Sequence, residues 1–420
     1  MLGGKMSHFI KPNREQLRYQ TLDIEKLVPE DHPVRFFWKV CEDLDLTALY
    51  DDYKITENSE GRPANDPRVL LCLWVYAYSE GINSCRQLAE ACKTRADLIW
   101  LCGDITPEYR SLAHFRTNHT QALEDAFCKM VVILDQLGLI KSKVFFQDGT
   151  KIMANVSHQS FMKKDKLEQK LEEAKLAYQQ FITDAENSTE TGTQMSKKRE
   201  QRLKRRLHAI ESAVRHVARI SERRKSLKKK DREQCRPEDA KASVTDPDCQ
   251  YMLVDKNTKR IEPAYTAQIC IDEDSEIIIG KEVSNEPTDV NRLIPLIEGV
   301  KSNLAVKEIK GAYVTDGGYY KDKNITEAET IGVKKLILPI NTESKSQATE
   351  AVKRRANSEE GKELLRRRSS TIERIISFIK ERLRLRRFKL RGLIKVGCEW
   401  TFICLAYNLT RYMQLAMGVG

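Results

Sequence analysis

The chain has 420 residues, 40% hydrophobic and 32% charged, with a formal net charge of +11. That is enough for a sizeable core in two or three domains, and the excess of Lys and Arg points to a polyanion partner, nucleic acid first. No apolar run is long enough to cross a membrane, none of the eleven cysteines forms a C-x-x-C pair, and neither a GxxxxGK loop nor an HExxH helix is present, so membrane-spanning, zinc-finger, nucleotide-hydrolysing and zinc-protease classes lack their signatures. Scattered cysteines without a framework, and no signal peptide, lead us to expect a reducing, cytoplasmic setting.

Residues 1–20 are polar and read as a flexible arm. From 21 to 140 the pattern is helical. "DPRVLLCLWVYAYSEG" has apolar residues at helix spacing, with Asp66 as cap, Pro67 in the first turn and Gly81 as breaker. "SCRQLAEACKTRADLIWLC" follows, capped by Ser84; the two pieces fit a helix-turn-helix or a plain bundle, and pattern alone favours the bundle. "TPEYRSLAHFRTNH" predicts a helix capped at Ser111 with a basic face of Arg110, Arg116 and His119, either a DNA-end contact or a solvated flank.

Val144, Phe145 and Phe146 open a buried strand that is expected to end in Asp148. Residues 161–235 interrupt it with a highly charged insertion. There Leu167, Leu171, Ala174, Tyr178, Phe181 and Ala185 repeat in 4,3 steps, and Leu203, Leu207, Ile210, Val214 and Val217 do so beyond a polar break, predicting a coiled-coil hairpin whose second arm is basic. "CQYMLV", "YTAQICID" and "EIIIGKEV" read as hairpin strands, "NRLIPLIEGVKSNL" as an amphipathic helix, "GAYVTDGGYY" as a strand ending in Asp316, and "KKLILPI" as a strand. A long basic helix is expected from about Ser358 through "KLRG", then an apolar closing helix. With the insertion removed, 141–420 reads as an α/β mixed sheet of ribonuclease-H type, preceded by an all-α region.

An apolar strand ending in a carboxylate needs a partner for that charge. Asp148 precedes Gly149 and Asp316 precedes Gly317-Gly318, so if the two strands are neighbours the carboxylates meet, and a divalent cation is a natural shared ligand. Glu373 is the chosen third acid of a two-metal site. It borders the apolar stripe Ile372, Ile375, Ile376, Ile379 and Leu383, with Arg366 and Lys380 seven residues to either side. Asp246 and Asp248 in "TDPD" read first as turn or cap acids.

"FFQDGTKIMAN", "SVTDPDCQYM", "YTAQICID", "VSNEPTDVNRL", "VTDGGYY" and "TIERIISFIKERLRLRRFKLRGLIKVGCEWTFICLAYNLTRY" together resemble DDE transposases of bacterial insertion sequences. "GRPANDPRVLLCLWVYAYSEGINSCRQLAEAC" and "PEYRSLAHFRTNH" resemble the helical domain that opens the InsH-type branch. The resemblance implies Asp148, Asp316 and Glu373 as catalytic metal ligands for two Mg²⁺ (or Mn²⁺) ions. It puts the family's downstream lysine at Lys380 and its upstream arginine nearest Arg368, where helix geometry would favour Arg366. The tyrosine often found ahead of that arginine is absent here. The implied activity is cleavage at element ends and strand transfer into target DNA, by a homodimer on double-stranded DNA in the bacterial nucleoid. A nuclease without strand transfer, a non-catalytic DNA-binding scaffold and a helical scaffold protein are the alternatives.

Overall fold

The computed structural model describes residues 15, 21–52, 64–186, 194–226, 235–255, 257–343 and 346–418. The expected arm over 1–20 and the polar break of the hairpin lie almost wholly outside them.

Among the described residues seven α-helices precede the first strand: α1 Pro33–Asp43, α2 Thr47–Asp52, α3 Pro67–Ser79, α4 Cys85–Ala91, α5 Ala96–Cys102, α6 Tyr109–Asn118 and α7 Thr120–Gln136. Helix α3 begins as its sequence dictates, with Asp66 accepting from the Arg68 and Val69 amides and Pro67 at the first position. It ends at Gly81, whose φ of 71° places it in the left-handed region. Helix α6 is capped at Glu108, not Ser111, which falls inside its first turn. Every residue of α3 from Leu70 to Ser79 is buried, which explains its lack of a polar face.

The sheet is mixed. Strands β1 Val144–Met153, β4 Gln250–Asp255, β5 Arg260–Asp272, β6 Ile278–Ser284, β7 Ile309–Val314 and β8 Val333–Ile337 build it in the order β4-β5-β1-β7-β8, with β6 on the same edge of β5 as β4, further along the strand. β1 runs antiparallel to β5 and parallel to β7, and β7 runs parallel to β8. Helices α10 Leu293–Asn303, α11 Asp322–Thr330, α12 Gln347–Asn357, α13 Glu359–Glu381 and α14 Leu393–Ala416 accompany it. The insertion leaves β1 through a two-stranded ribbon, β2 Phe161–Lys163 with β3 Lys241–Ser243. Between these lie α8 Lys164–Glu186 and α9 Gln194–Lys225, packed on each other. Leu167, Ala213, Val217, Ala240 and Ala242 form a separate small core at their base.

The basic helix stops at Glu381, short of the expected end. Residues 382–392 form a loop that returns along β1: the Met153 amide donates to the Arg386 carbonyl at 3.3 Å and the Phe388 amide to the Met153 carbonyl at 2.9 Å. "LRLRRF" buries Leu383, Leu385 and Phe388 between exposed Arg384 and Arg386 and half-buried Arg387, a near-alternating pattern that a helix cannot satisfy.

The main core runs across residue 140 without a break. Trp74 and Tyr78 of α3 and Phe115 of α6 lie within about 6 Å of the Phe402 ring of α14. No helix among the described residues is long and apolar enough to cross a membrane. Phe402→Ala should cost about 3–5 kcal/mol. Hydrogen exchange should then show α3 and the sheet losing protection together; loss confined to α3 would show two separate units.

Candidate active site

Asp148 does not end its strand. β1 continues five residues further to Met153, because β5 pairs with it along nearly its whole length. What ends is the pairing with β7: Val144, Phe145 and Phe146 lie opposite Ala312, Tyr313 and Val314, and then β7 stops. Asp148 is two residues beyond Phe146, and Asp316 is two beyond Val314. The two acids therefore leave neighbouring parallel strands at the same level. Asp316 caps the short turn Gly317–Tyr319, its Oδ1 accepting from the Gly318 amide at 2.9 Å. Asp148 Oδ1 accepts from the Gly149 amide at 2.7 Å.

The countercharge comes from α13. Arg368 Nη1 lies 2.5 Å from Asp148 Oδ2, and the arginine is buried in the apolar stripe of Leu364, Ile372, Ile375 and Ile379. Burial holds the Asp148 carboxyl above the usual carboxylate range; the Arg368 charge opposes this and the Asp316 charge adds to it. Arg368 Nε is buried without a hydrogen-bond partner.

The remaining expected residues fall elsewhere. Glu373 is exposed on α13, its Oε1 accepting from Ser369 Oγ at 3.0 Å. Among the described residues no group of three His, Cys, Asp or Glu side chains is placed to hold a metal. Lys380 shares the Glu373 side of the helix by spacing, half-buried, and burial lowers its ammonium pKa. Arg366 points to solvent and pairs with Glu363 at 2.8 Å, so Arg368 and not Arg366 meets Asp148. Arg110 is exposed beside Tyr109. Arg116 and His119 are not on a DNA-facing surface: both are buried. Arg116 donates to the Asn83 carbonyl at 2.8 Å and lies 4.7 Å from the Trp74 ring; His119 Nδ1 is 3.2 Å from Asp52. Asp246 and Asp248 act as caps, accepting from the Gly392 and Leu393 amides where α14 starts.

Sequence reasoning missed a polar network on the opposite face of β1. Gly149 faces Gln268 across the strand pair, and a Cβ there would collide with the Gln268 amide and meet Asp289 Oδ1 at 3.0 Å. Gln268 Nε2 donates to Asp289 Oδ1 at 2.6 Å, its Oε1 accepts from the Tyr319 hydroxyl, and Lys151 Nζ reaches Asp289 at 3.3 Å. Burial pushes the Tyr319 hydroxyl pKa far up, helped by the charges of Asp148, Asp289 and Asp316. The alternation Gln147, Gly149, Lys151 was the available signal, because polar residues on one face of an otherwise buried strand need partners.

Carboxyl-carbon NMR titration checks the electrostatics. Asp316→Asn should lower the Asp148 pKa by removing a like charge, and Arg368→Gln should raise it by removing the cation. As pH rises past the ordinary value of about 3.9, the unfolded chain sheds this proton before the folded one, so stability falls through that window. Unchanged titration in both variants would sink the coupling.

Two family models match the chain: Transposase domain (DUF772) over residues 22–118 and Transposase DDE domain over residues 239–409. No curated protein and no solved structure matches it. Asp316 and Glu373 lie inside the second match, while Asp148 and the α8–α9 insertion lie between the two. A helical transposase region followed by the DDE region that carries Asp316 and Arg368 places this chain among the DDE transposases of the insertion-sequence type: it is a DNA transposase.

Proposed function

We propose that this transposase cuts DNA at its element's ends and joins the freed ends to target DNA at one site built on Asp148, Asp316 and Glu373. The observation that carries this reading is the shared level of Asp148 and Asp316 at the end of the β1–β7 pairing. The sheet order supports a ribonuclease-H-like layer, and α8 with α9 a coiled-coil insertion. In the first step, water attacks the phosphorus at the element end, the bond to the 3′ oxygen breaks, and that oxygen leaves as a hydroxyl. In the second, the hydroxyl attacks a target phosphodiester and displaces the target's 3′ oxygen, so one bond replaces another.

The residues fit a divalent cation. The donors are carboxylate oxygens, the pair is partly shielded from water, and its repulsion calls for positive charge. Two Mg²⁺ (or Mn²⁺) ions held there would supply a nucleophile at neutral pH and neutralise charge on the transferring phosphoryl group. Asp148 and Asp316 would hold the ions, and Glu373 would be the third ligand only by reaching them from the exposed side of α13. Arg368 holds Asp148 in place through Nη1, and its planar guanidinium would also suit a phosphate oxygen. Lys380 is the second phosphate contact. Arg110 is the remaining candidate on the N-terminal helices for contact with the element end. Two ends cut together imply a homodimer, working on chromosomal DNA in the bacterial cytoplasm.

Cleavage of a labelled duplex carrying the element end, with Mg²⁺ or with EDTA, tests this. Asp148→Ala and Asp316→Ala should each reduce cutting by at least a thousandfold, about 4 kcal/mol of barrier, while DNA binding persists. Glu373→Gln should do the same; if it cuts normally, the third ligand is another acid. Binding without cutting by the unmodified protein would leave a DNA-binding scaffold, and cutting without joining would leave a nuclease.

A second expectation concerns Arg368. Arg368→Lys keeps the charge but loses the planar fork, so cutting should fall by roughly 10–100-fold, about 1.4–2.8 kcal/mol. Full activity would remove the arginine from the reaction.

A further inference from the structure

Twelve of the 32 residues of α9 are Lys or Arg and three are Glu, an excess of nine in a chain whose net charge is +11. The excess is not neutralised locally. α8 carries more acids than bases, yet no ion pair joins α8 to α9 among the described residues, and the pairs there stay within one helix, such as Lys175–Glu172 and Lys204–Glu200. Leu203, Leu207, Ile210, Val214 and Val217 turn toward α8, so helix geometry places Lys198, Arg205, Arg219 and Arg223 on the opposite side. All four are exposed and make no side-chain hydrogen bond or ion pair among the described residues. From Lys198 to Arg223 the helix rises about 37 Å, close to one turn of duplex DNA at about 34–36 Å.

We infer that the outer face of α9 is a backbone clamp for duplex DNA, gripping phosphates of the same molecule whose end lies at Asp148 and Asp316. This rests on DNA being the substrate of that site. The hairpin springs from the end of β1, which is also the strand that carries Asp148, and the β2–β3 ribbon and the small core at its base fix its departure. Gln201, His208, Ser212 and Arg215 fill the same outer face, so no apolar residue is offered to a lipid surface. Phosphate contacts carry no sequence information, so the clamp adds affinity without sequence choice.

The test uses the full-length chain with Lys198→Gln, Arg205→Gln, Arg219→Gln and Arg223→Gln combined. Binding to a duplex without element sequence is followed by fluorescence anisotropy in EDTA, across about 50–200 mM salt. Losing four phosphate contacts should make the slope of log affinity against log salt shallower by about 3–4 and weaken binding at least tenfold. The same four positions as an all-Lys or all-Arg set should keep the slope. Circular dichroism should show unchanged helix content in both. An unchanged slope in the Gln variant overturns the clamp and leaves the face to an acidic protein. A larger loss on A-form duplex RNA than on DNA overturns the assignment to DNA. Because cleavage is not read, failure of the catalytic site and failure of the clamp are told apart: a wild type that binds through α9 but never cuts loses only the former.

Discussion

Two carboxylates held at one level of neighbouring parallel strands repel each other, and burial makes that repulsion worse. Arg368 is what lets Asp148 and Asp316 sit together. Its guanidinium reaches Asp148 from the middle of an apolar helix face, where a positive charge is itself costly. Removing one partner of a fully buried ion pair costs about 3–5 kcal/mol; Asp148 retains 23% exposure, so water shares some of that burden here. The placement of α13 against β1 is thus the condition on which the acid pair depends.

That placement is secured from beyond the helix. The 382–392 loop bonds to Met153 of β1, and Asn155 Nδ2 donates to the Lys389 carbonyl at 2.7 Å. Glu399, wholly buried on α14, accepts from the Lys389 and Leu390 amides at 2.9 Å. Burial raises its carboxyl pKa against the pull of Arg116 and these amides. Asp246 and Asp248 hold the Gly392 and Leu393 amides that follow. A run that looks like spare basic sequence is thereby tied to β1, to the segment before β4 and to α14. Arg116, expected on a DNA surface, belongs to this internal frame.

The shared level of Asp148 and Asp316 was legible because each follows an apolar run and precedes glycine, although β1 runs on past Asp148 and Glu373 lies exposed elsewhere; α3 was legible because cap, proline and glycine each mark one boundary. Arg368 was legible too, but only by carrying the stripe of Ile372 two helical turns back through 368 to Leu364. A wheel begun at Ile372 misses it and favours Arg366. The end of α13 was hidden because "ERLRLRRF" has a helix-forming composition and reveals its extended path only in its alternation. The packing of Trp74 and Tyr78 on Phe402 joins residues more than three hundred positions apart, and the Gln268–Asp289 network joins segments whose local patterns predict only a strand and a loop. No periodicity within either segment carries that information.

The shared core of α3, α6 and α14 has a mechanical consequence. If the N-terminal helices were a tethered module, their distance from the acid pair would vary with each swing of a linker. Interlocked through Trp74, Phe115 and Phe402, they form one casting with the sheet. The span from those helices to Asp148 is therefore set by core packing and not by a linker, so the frame is a ruler of fixed length.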